Sequence, residues 1–107
     1  MTINEYQKLA MRTCSPYGFC ISNVGLGLAG EAGECADLIK KTLHQGHEFD
    51  KEKLIRELGD VCWYVALACS VLEIDMEEVM TLNIEKLADR YPEKFEAERS
   101  IFRNEVI

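Results

Sequence analysis

The residues of this 107-residue chain best suited to chemistry are four carboxylates in two pairs. Glu31 and Glu34 stand in Gly30-Glu31-Ala32-Gly33-Glu34, and Glu57 and Asp60 in Glu57-Leu58-Gly59-Asp60. Each pair is spaced i,i+3, so both members share one face if the segment is helical. Twenty-two residues separate Glu34 from Glu57, enough for the end of one helix, a short loop and the start of the next. An antiparallel pairing of those helices sets the two acidic pairs level. Taken singly, such a pair is commonly no more than solvated surface charge. Here Leu28, Ala29 and Cys35 flank one pair and Leu58, Val61 and Cys62 the other, which predicts buried helices. Carboxylates crowded near a core repel each other or take up protons unless a cation joins them. A hard divalent cation with oxygen ligands is the ordinary solution.

Three further features bear on a ligand. Asn83, Lys86 and Arg90 fall at i, i+3 and i+7 on one helical stripe. An amide, an ammonium and a guanidinium together suit phosphate oxygens, although alone they read as a solvated polar face. Tyr64 lies four residues after Asp60 and seven after Glu57, on the acidic face. There it can stack on a base or hydrogen-bond a phosphate, whereas Trp63 beside it is better placed in the core. Gly27, Gly30 and Gly33 recur every third residue inside a helical pattern, each at roughly 1 kcal/mol relative to Ala. That loss implies a close approach by another backbone or a ligand, or a helix-packing groove without chemistry. His44 and His47 flank Gln45-Gly46 with no third nitrogen or sulfur ligand placed beside them, so they read as loop residues. No G-x-x-x-x-G-K-[ST] loop and no nucleophile elbow occurs.

The elements that must position these residues are helical. Thr2 followed by Glu5 is a capping box that opens a helix over about Ile3–Thr13, ended by the turn Ser15-Pro16-Tyr17-Gly18. Ser22 or Asn23 is the expected cap of a second helix that runs to about His44 and stops at Gly46. Asp50 caps a third, helical to about Glu73, and Asp75 with Glu78 opens a fourth that ends before Pro92. The tail, residues 93–107, fits either a turn of helix or a segment docked on a partner. No strand pattern, repeat or linker interrupts the series, so the expected fold is an all-α four-helix bundle with antiparallel neighbours.

Composition narrows the function classes. Apolar residues make up 48% of the chain and charged residues 29%, which suits a globular domain rather than a disordered one. A net charge of −7 disfavours nucleic-acid binding, which depends on Lys/Arg contacts to phosphate. An anionic ligand remains compatible if a cation stands between. The five cysteines, Cys14, Cys20, Cys35, Cys62 and Cys69, are odd in number and lack C-x-x-C spacing. Reduced thiols in a cytoplasmic protein are expected, with the last three as small core residues. Residues 1–10 carry Asn4, Glu5, Gln7 and Lys8, unlike a secretory leader, and the longest apolar stretch, Val61–Leu72, is too short to cross a membrane.

The segment GLAGEAGECADLIKK followed by ELGDVCWYVA resembles the MazG-like family of all-α nucleoside triphosphate pyrophosphohydrolases, whose signature is E-x-x-E, a variable gap and E-x-x-D. The later NIEKLADRYPEKFEAERS is similar to the family helix that supplies Asn, Lys and Arg. The resemblance runs from Tyr6 to about Arg103 and implies one domain over residues 1–107. It implies Glu31, Glu34, Glu57 and Asp60 as ligands of Mg²⁺, for which Mn²⁺ is the expected substitute. It further implies Asn83 and Lys86 as triphosphate-binding residues with Arg90 as a third, and cleavage between the α and β phosphates. Homodimers or dimers of dimers complete the family's bundle. On that expectation a water attacks the α-phosphorus, with Glu31 as the favoured base among four eligible carboxylates, and Lys86 and Arg90 neutralise the departing pyrophosphate. The product would be a nucleoside monophosphate, in keeping with nucleotide-pool house-cleaning. Two rival expectations are a dimeric dUTPase-type nucleotide hydrolase and a non-catalytic helical interaction module.

Overall fold

A computed structural model describes residues 1–102, which form helices, turns and loops with no strand among them. Helix α1 spans Ile3–Met11. Its capping box is reciprocal: the Glu5 N–H donates to Thr2 Oγ1 at 3.0 Å and the Thr2 N–H to Glu5 Oε1 at 3.3 Å. The helix ends two residues before the expected Thr13. There the chain tightens, with the Thr13 N–H and its hydroxyl both donating to the Ala10 carbonyl. Ser15-Pro16-Tyr17-Gly18 then makes one 3₁₀ turn, Pro16–Gly18, whose Gly18 N–H donates to Ser15 Oγ.

Helix α2 spans Ile21–His44. Its cap differs from the expectation of Ser22 or Asn23: the capping residue is Cys20, in extended backbone, with no side-chain cap bond. Asn23 is engaged elsewhere, its Nδ2 donating to the Gly18 carbonyl at 2.9 Å, so it ties the first helical turn back to the 3₁₀ turn. At the other end Gly46 adopts φ +72°, the left-handed geometry that glycine tolerates best, and the helix stops at His44 as expected. Helix α3 spans Lys51–Val71, with Asp50 Oδ1 accepting from the Lys53 N–H at 3.0 Å. It ends short of Glu73, which itself takes a left-handed φ of 58° while the Ile74 N–H turns back to the Cys69 carbonyl. Helix α4 spans Met76–Arg90 and stops before Pro92. A short helix α5, Ala97–Ile101, falls in the tail, and residues 103–107 of that tail lie outside the described residues. The fold is thus all-α with four long helices.

The chain divides into two compact units, Met1–Met76 and Glu77–Ile107. In the first, α2 and α3 run antiparallel. Gly27 stands opposite Tyr64, and Glu31, further along α2, stands opposite Glu57 and Asp60, earlier on α3. Helix α1 packs antiparallel on α3, with Gln7 at Ser70 and Ala10 at Trp63. Ala10, Ala66, Cys69 and Met76 form the core, enclosed by Tyr6, Met11, Trp63, Val65 and Ile74. A polar hub sits beside it. Gln7, 9% exposed, donates through Nε2 to Ser70 Oγ and the Ile74 carbonyl, and accepts the first amide of α4, from Met76, on Oε1 at 2.7 Å.

The outer faces of α2 and α3 are less buried than their apolar content predicts. Leu26 is 78% exposed and Ile55 56%, and Leu58 is also exposed. Cys62 shares that face of α3 and is exposed rather than a core residue, unlike buried Cys69. All five thiols are unpaired. In the second unit, Val79, Met80, Leu82, Ile84 and Leu87 of α4 are exposed, and Tyr91 and Phe95 pack with ring centroids 5.2 Å apart.

Candidate active site

Three of the four expected acidic residues come together. Glu31 from α2 and Glu57 and Asp60 from α3 each offer a carboxylate oxygen, and these oxygens all lie within 4.8 Å of one another. The i,i+3 spacing puts Glu57 and Asp60 on one face of α3, and the antiparallel pairing sets Glu31 across from them. Glu31 and Glu57 are half-buried and Asp60 is exposed. Glu34, one turn further along α2, is exposed and outside this set, although its charge acts on Glu31.

The electrostatics of the cluster are those of an uncompensated anion site. The Glu31 carboxyl is pushed above the usual carboxylate range, first by lost hydration, then by its hydrogen bond with Glu57, then by the negative charges of Asp60, Glu57 and Glu34. No lysine or arginine pairs with these three oxygens among the described residues; the nearby ion pairs join Asp37 to Lys40 and Lys41 on the far part of α2. Those are solvent-exposed i,i+3 and i,i+4 pairs of small energetic weight. Three converging carboxylate oxygens with no cationic partner fit a hard divalent cation by donor chemistry.

Beside the cluster opens a cleft of about 340 Å³ lined by Thr13, Glu31, Asp60, Trp63 and Tyr64. Trp63 is fixed there from α1: its indole N–H donates to Thr13 Oγ1 at 2.8 Å and to the Ala10 carbonyl at 3.1 Å. It meets Tyr64 edge-on, with centroids 4.9 Å apart and planes at 79°. Trp63 is therefore both a core residue, as its sequence context suggests, and a wall of the cleft. Tyr6 also feels the site, its phenol raised above the ordinary value first by burial and then by Cys62 and Asp60. Thr13 and Tyr6 escaped the sequence reading because α1 carries no acidic motif. The available signal was their spacing from Ala10 on α1's apolar face, Tyr6 four residues before it and Thr13 three after.

Asn83, Lys86 and Arg90 lie on α4, sharing a stripe of that helix in the second unit. Asn83 and Lys86 are exposed. The Arg90 guanidinium sits 6.0 Å from the Tyr91 ring centroid, with a buried Nε that has no hydrogen-bond partner. His47 lines a separate surface cleft with Lys41 and Lys53, and neither histidine joins the acidic cluster.

Comparison with known proteins bears on the whole of α2, α3 and α4. The family model described as MazG nucleotide pyrophosphohydrolase domain matches residues 21–95. The Gene 37 protein of Mycobacterium phage L5 is 39% identical over 74 residues, a match that covers 65% of this chain and 65% of that protein, slightly under two thirds of its length. No solved structure matches the chain. No helix among the described residues is long and apolar enough to cross a membrane.

Proposed function

The chain belongs to the MazG nucleotide pyrophosphohydrolase family, and from that premise we propose that it hydrolyses nucleoside triphosphates to monophosphate and pyrophosphate in a Mg²⁺-dependent reaction. The observation that carries this proposal is the convergence of Glu31, Glu57 and Asp60 within 4.8 Å beside an aromatic-walled cleft. Glu31, Glu57 and Asp60, with Glu34 from the adjoining turn, would hold the ion. Bound there, Mg²⁺ supplies positive charge that offsets repulsion between an acidic site and a polyphosphate and draws electron density from phosphorus.

The chain's own residues do the rest. Glu31, which lines the cleft beside the cluster, accepts a proton from the attacking water as the water oxygen bonds to the α-phosphorus. The bond from the α-phosphorus to the bridging oxygen breaks, and pyrophosphate leaves with that electron pair. Asn83, Lys86 and Arg90 bind the polyphosphate and neutralise the charge of the leaving group, a role supported by their common stripe on α4. Tyr64 stacks on the base.

The match over residues 21–95 crosses both compact units, which supports reading residues 1–107 as one functional domain. The exposed apolar faces of α2, α3 and α4 support assembly into a homodimer or a dimer of dimers. Five unpaired thiols support a cytoplasmic setting, and nucleotide-pool house-cleaning is the proposed role.

The test is pyrophosphate release from a panel of canonical and modified nucleoside triphosphates, with and without Mg²⁺, for the wild type and Asp60→Asn. Release that requires Mg²⁺ and is lost in Asp60→Asn, with helical circular dichroism unchanged, is expected. Near-normal turnover in that variant would place the chemistry elsewhere.

A further inference from the structure

Of the helical glycines, Gly27 alone is pressed by another side chain. A Cβ built on Gly27 would overlap Cε1 and Cζ of Tyr64 and lie 2.6 Å from its Cδ1, whereas Cβ atoms on Gly25, Gly30, Gly33 and Gly59 would meet nothing within 4 Å. The tyrosine ring therefore rests directly on the α2 backbone. Gly27 is four residues before Glu31, and Tyr64 four residues after Asp60, so this contact sits one helical turn from the acidic cluster on both helices. The ring also meets Trp63 in a T-shaped contact, and Trp63 is itself held by hydrogen bonds to Thr13 and Ala10.

We infer that Gly27 is a positioning residue: it provides the flat backbone seat that, together with the Trp63 contact, holds the Tyr64 ring as a fixed wall of the nucleotide cleft. This inference rests on the proposed reading of that cleft as the substrate site. Glycine inside a helix is unfavourable relative to alanine, and here the missing methyl has a specific use. Any larger residue would push the ring off its seat, because a Cβ at Gly27 and the ring atoms would occupy the same space. The role is geometric, so it should appear in substrate affinity more than in the chemical step.

The experiment is a double-mutant cycle on the full chain with Gly27→Ala, Tyr64→Ala and the pair, and Gly25→Ala as a control for helix propensity. Two quantities are read: KM and kcat for pyrophosphate release, and near-ultraviolet circular dichroism, which reports the Trp63–Tyr64 pair. Gly27→Ala should raise KM by up to roughly tenfold, the scale of one lost aromatic contact, with kcat little changed, and should alter the aromatic dichroism. In the Tyr64→Ala background the same glycine change should be silent in both readouts, because the ring it displaces is gone. Gly25→Ala should leave both at wild-type values. Equal effects of Gly27→Ala in the two backgrounds, or a loss confined to kcat, would overturn the inference. If Gly27→Ala alone does not fold, the paired variant against Tyr64→Ala still decides: recovery of folding upholds the seat, and continued failure overturns it. If the wild type releases no pyrophosphate from any triphosphate, the functional reading fails, while the dichroism cycle still judges the Gly27–Tyr64 contact.

Discussion

Removing the side chain of Gln7 should cost this protein more stability than any other single polar truncation on α1. Gln7 is 9% exposed and makes three hydrogen bonds, two from Nε2 to Ser70 Oγ and the Ile74 carbonyl, both at 3.1 Å, and one from the Met76 N–H to Oε1 at 2.7 Å. These tie α1 to the end of α3 and to the first amide of α4, a donor with no partner inside its own helix. Gln7→Leu keeps most of the volume and strands the Met76 N–H and the Ile74 carbonyl. A stranded buried polar group costs about 1–3 kcal/mol, so two of them, partly offset by the gain of an apolar side chain, give roughly 2–4 kcal/mol. For a domain of this size each kcal/mol lowers the melting temperature by about 4–8 °C, so a fall of roughly 10–25 °C is expected. Ser70→Ala is the internal comparison. It deletes one acceptor and leaves Nε2 bonded to Ile74, so about 1 kcal/mol is expected. Thermal melts followed by helical circular dichroism at fixed protein concentration measure both. A Gln7→Leu melting temperature no lower than that of Ser70→Ala would refute the claim that this hub ties α1 to the end of α3 and to Met76.

Four further outcomes are expected. Saturating Mg²⁺ should stabilise the folded protein by RT ln(1 + [L]/Kd), roughly 2.7 kcal/mol at a hundredfold excess, and Na⁺ at matched ionic strength should not; equal melting shifts from both salts would mean that Glu31, Glu57 and Asp60 respond only to screening. Lys86→Ala should weaken triphosphate binding more than nucleoside binding by calorimetry, and equal weakening would remove Lys86 from the phosphate role. With chelator present, the Glu31 carboxyl titrates above its unfolded value of 4.5, so its favourable contribution is fully present below that value and is lost as pH rises through the folded one; the stability advantage of wild type over Glu31→Gln should shrink across that window, and a constant difference would contradict the sign. Sedimentation at micromolar concentration should give a dimer or tetramer, because Leu26, Ile55 and Leu58 leave a large apolar face open, and a stable monomer would contradict the assembly.

The helices and most of their ends could be read from local chemistry. Thr2 with Glu5, and Asp50, act through neighbours three residues away, and Gly46 through its own left-handed φ, so their effects are written in the order of the chain. The start of α2 could not be read that way. Asn23 has the right chemistry for a cap, but its amide is claimed by the Gly18 carbonyl five residues back, and the 3₁₀ turn decides which bond forms. The acidic pairs on α2 and α3 were visible as spacing, and the loop length placed them level. Spacing alone does not say that Glu31, rather than Glu34, joins Glu57 and Asp60, because that depends on the rotation of α2 about its axis. The part of the cleft contributed from just beyond α1, Thr13, was the least visible. Thr13 and Trp63 meet across fifty residues of sequence, and nothing local to either announces the partner.

Glu31 carries two proposed roles that compete for the same atoms. Its basicity is raised because hydration is reduced and because Glu57, Asp60 and Glu34 add negative potential. The same potential attracts a divalent cation, and a cation so close withdraws the reason for the raised basicity by cancelling the field that produced it. A carboxylate whose oxygens are all engaged by a cation is a poor proton acceptor, so ligand and base must use different oxygens of Glu31 or fall on different residues. Glu34 lies outside the set of converging oxygens while still acting on Glu31 through its charge, so it is the alternative base if the cation takes both Glu31 oxygens. Comparing Glu31→Gln with Glu34→Gln separates the cases. If Glu31 serves chiefly as ligand, its variant loses most of the Mg²⁺-dependent rise in melting temperature. If Glu34 serves chiefly as base, its variant keeps that rise and loses turnover. A Glu34→Gln protein that loses the Mg²⁺ response as fully as Glu31→Gln would sink this division of labour and return both residues to the cation.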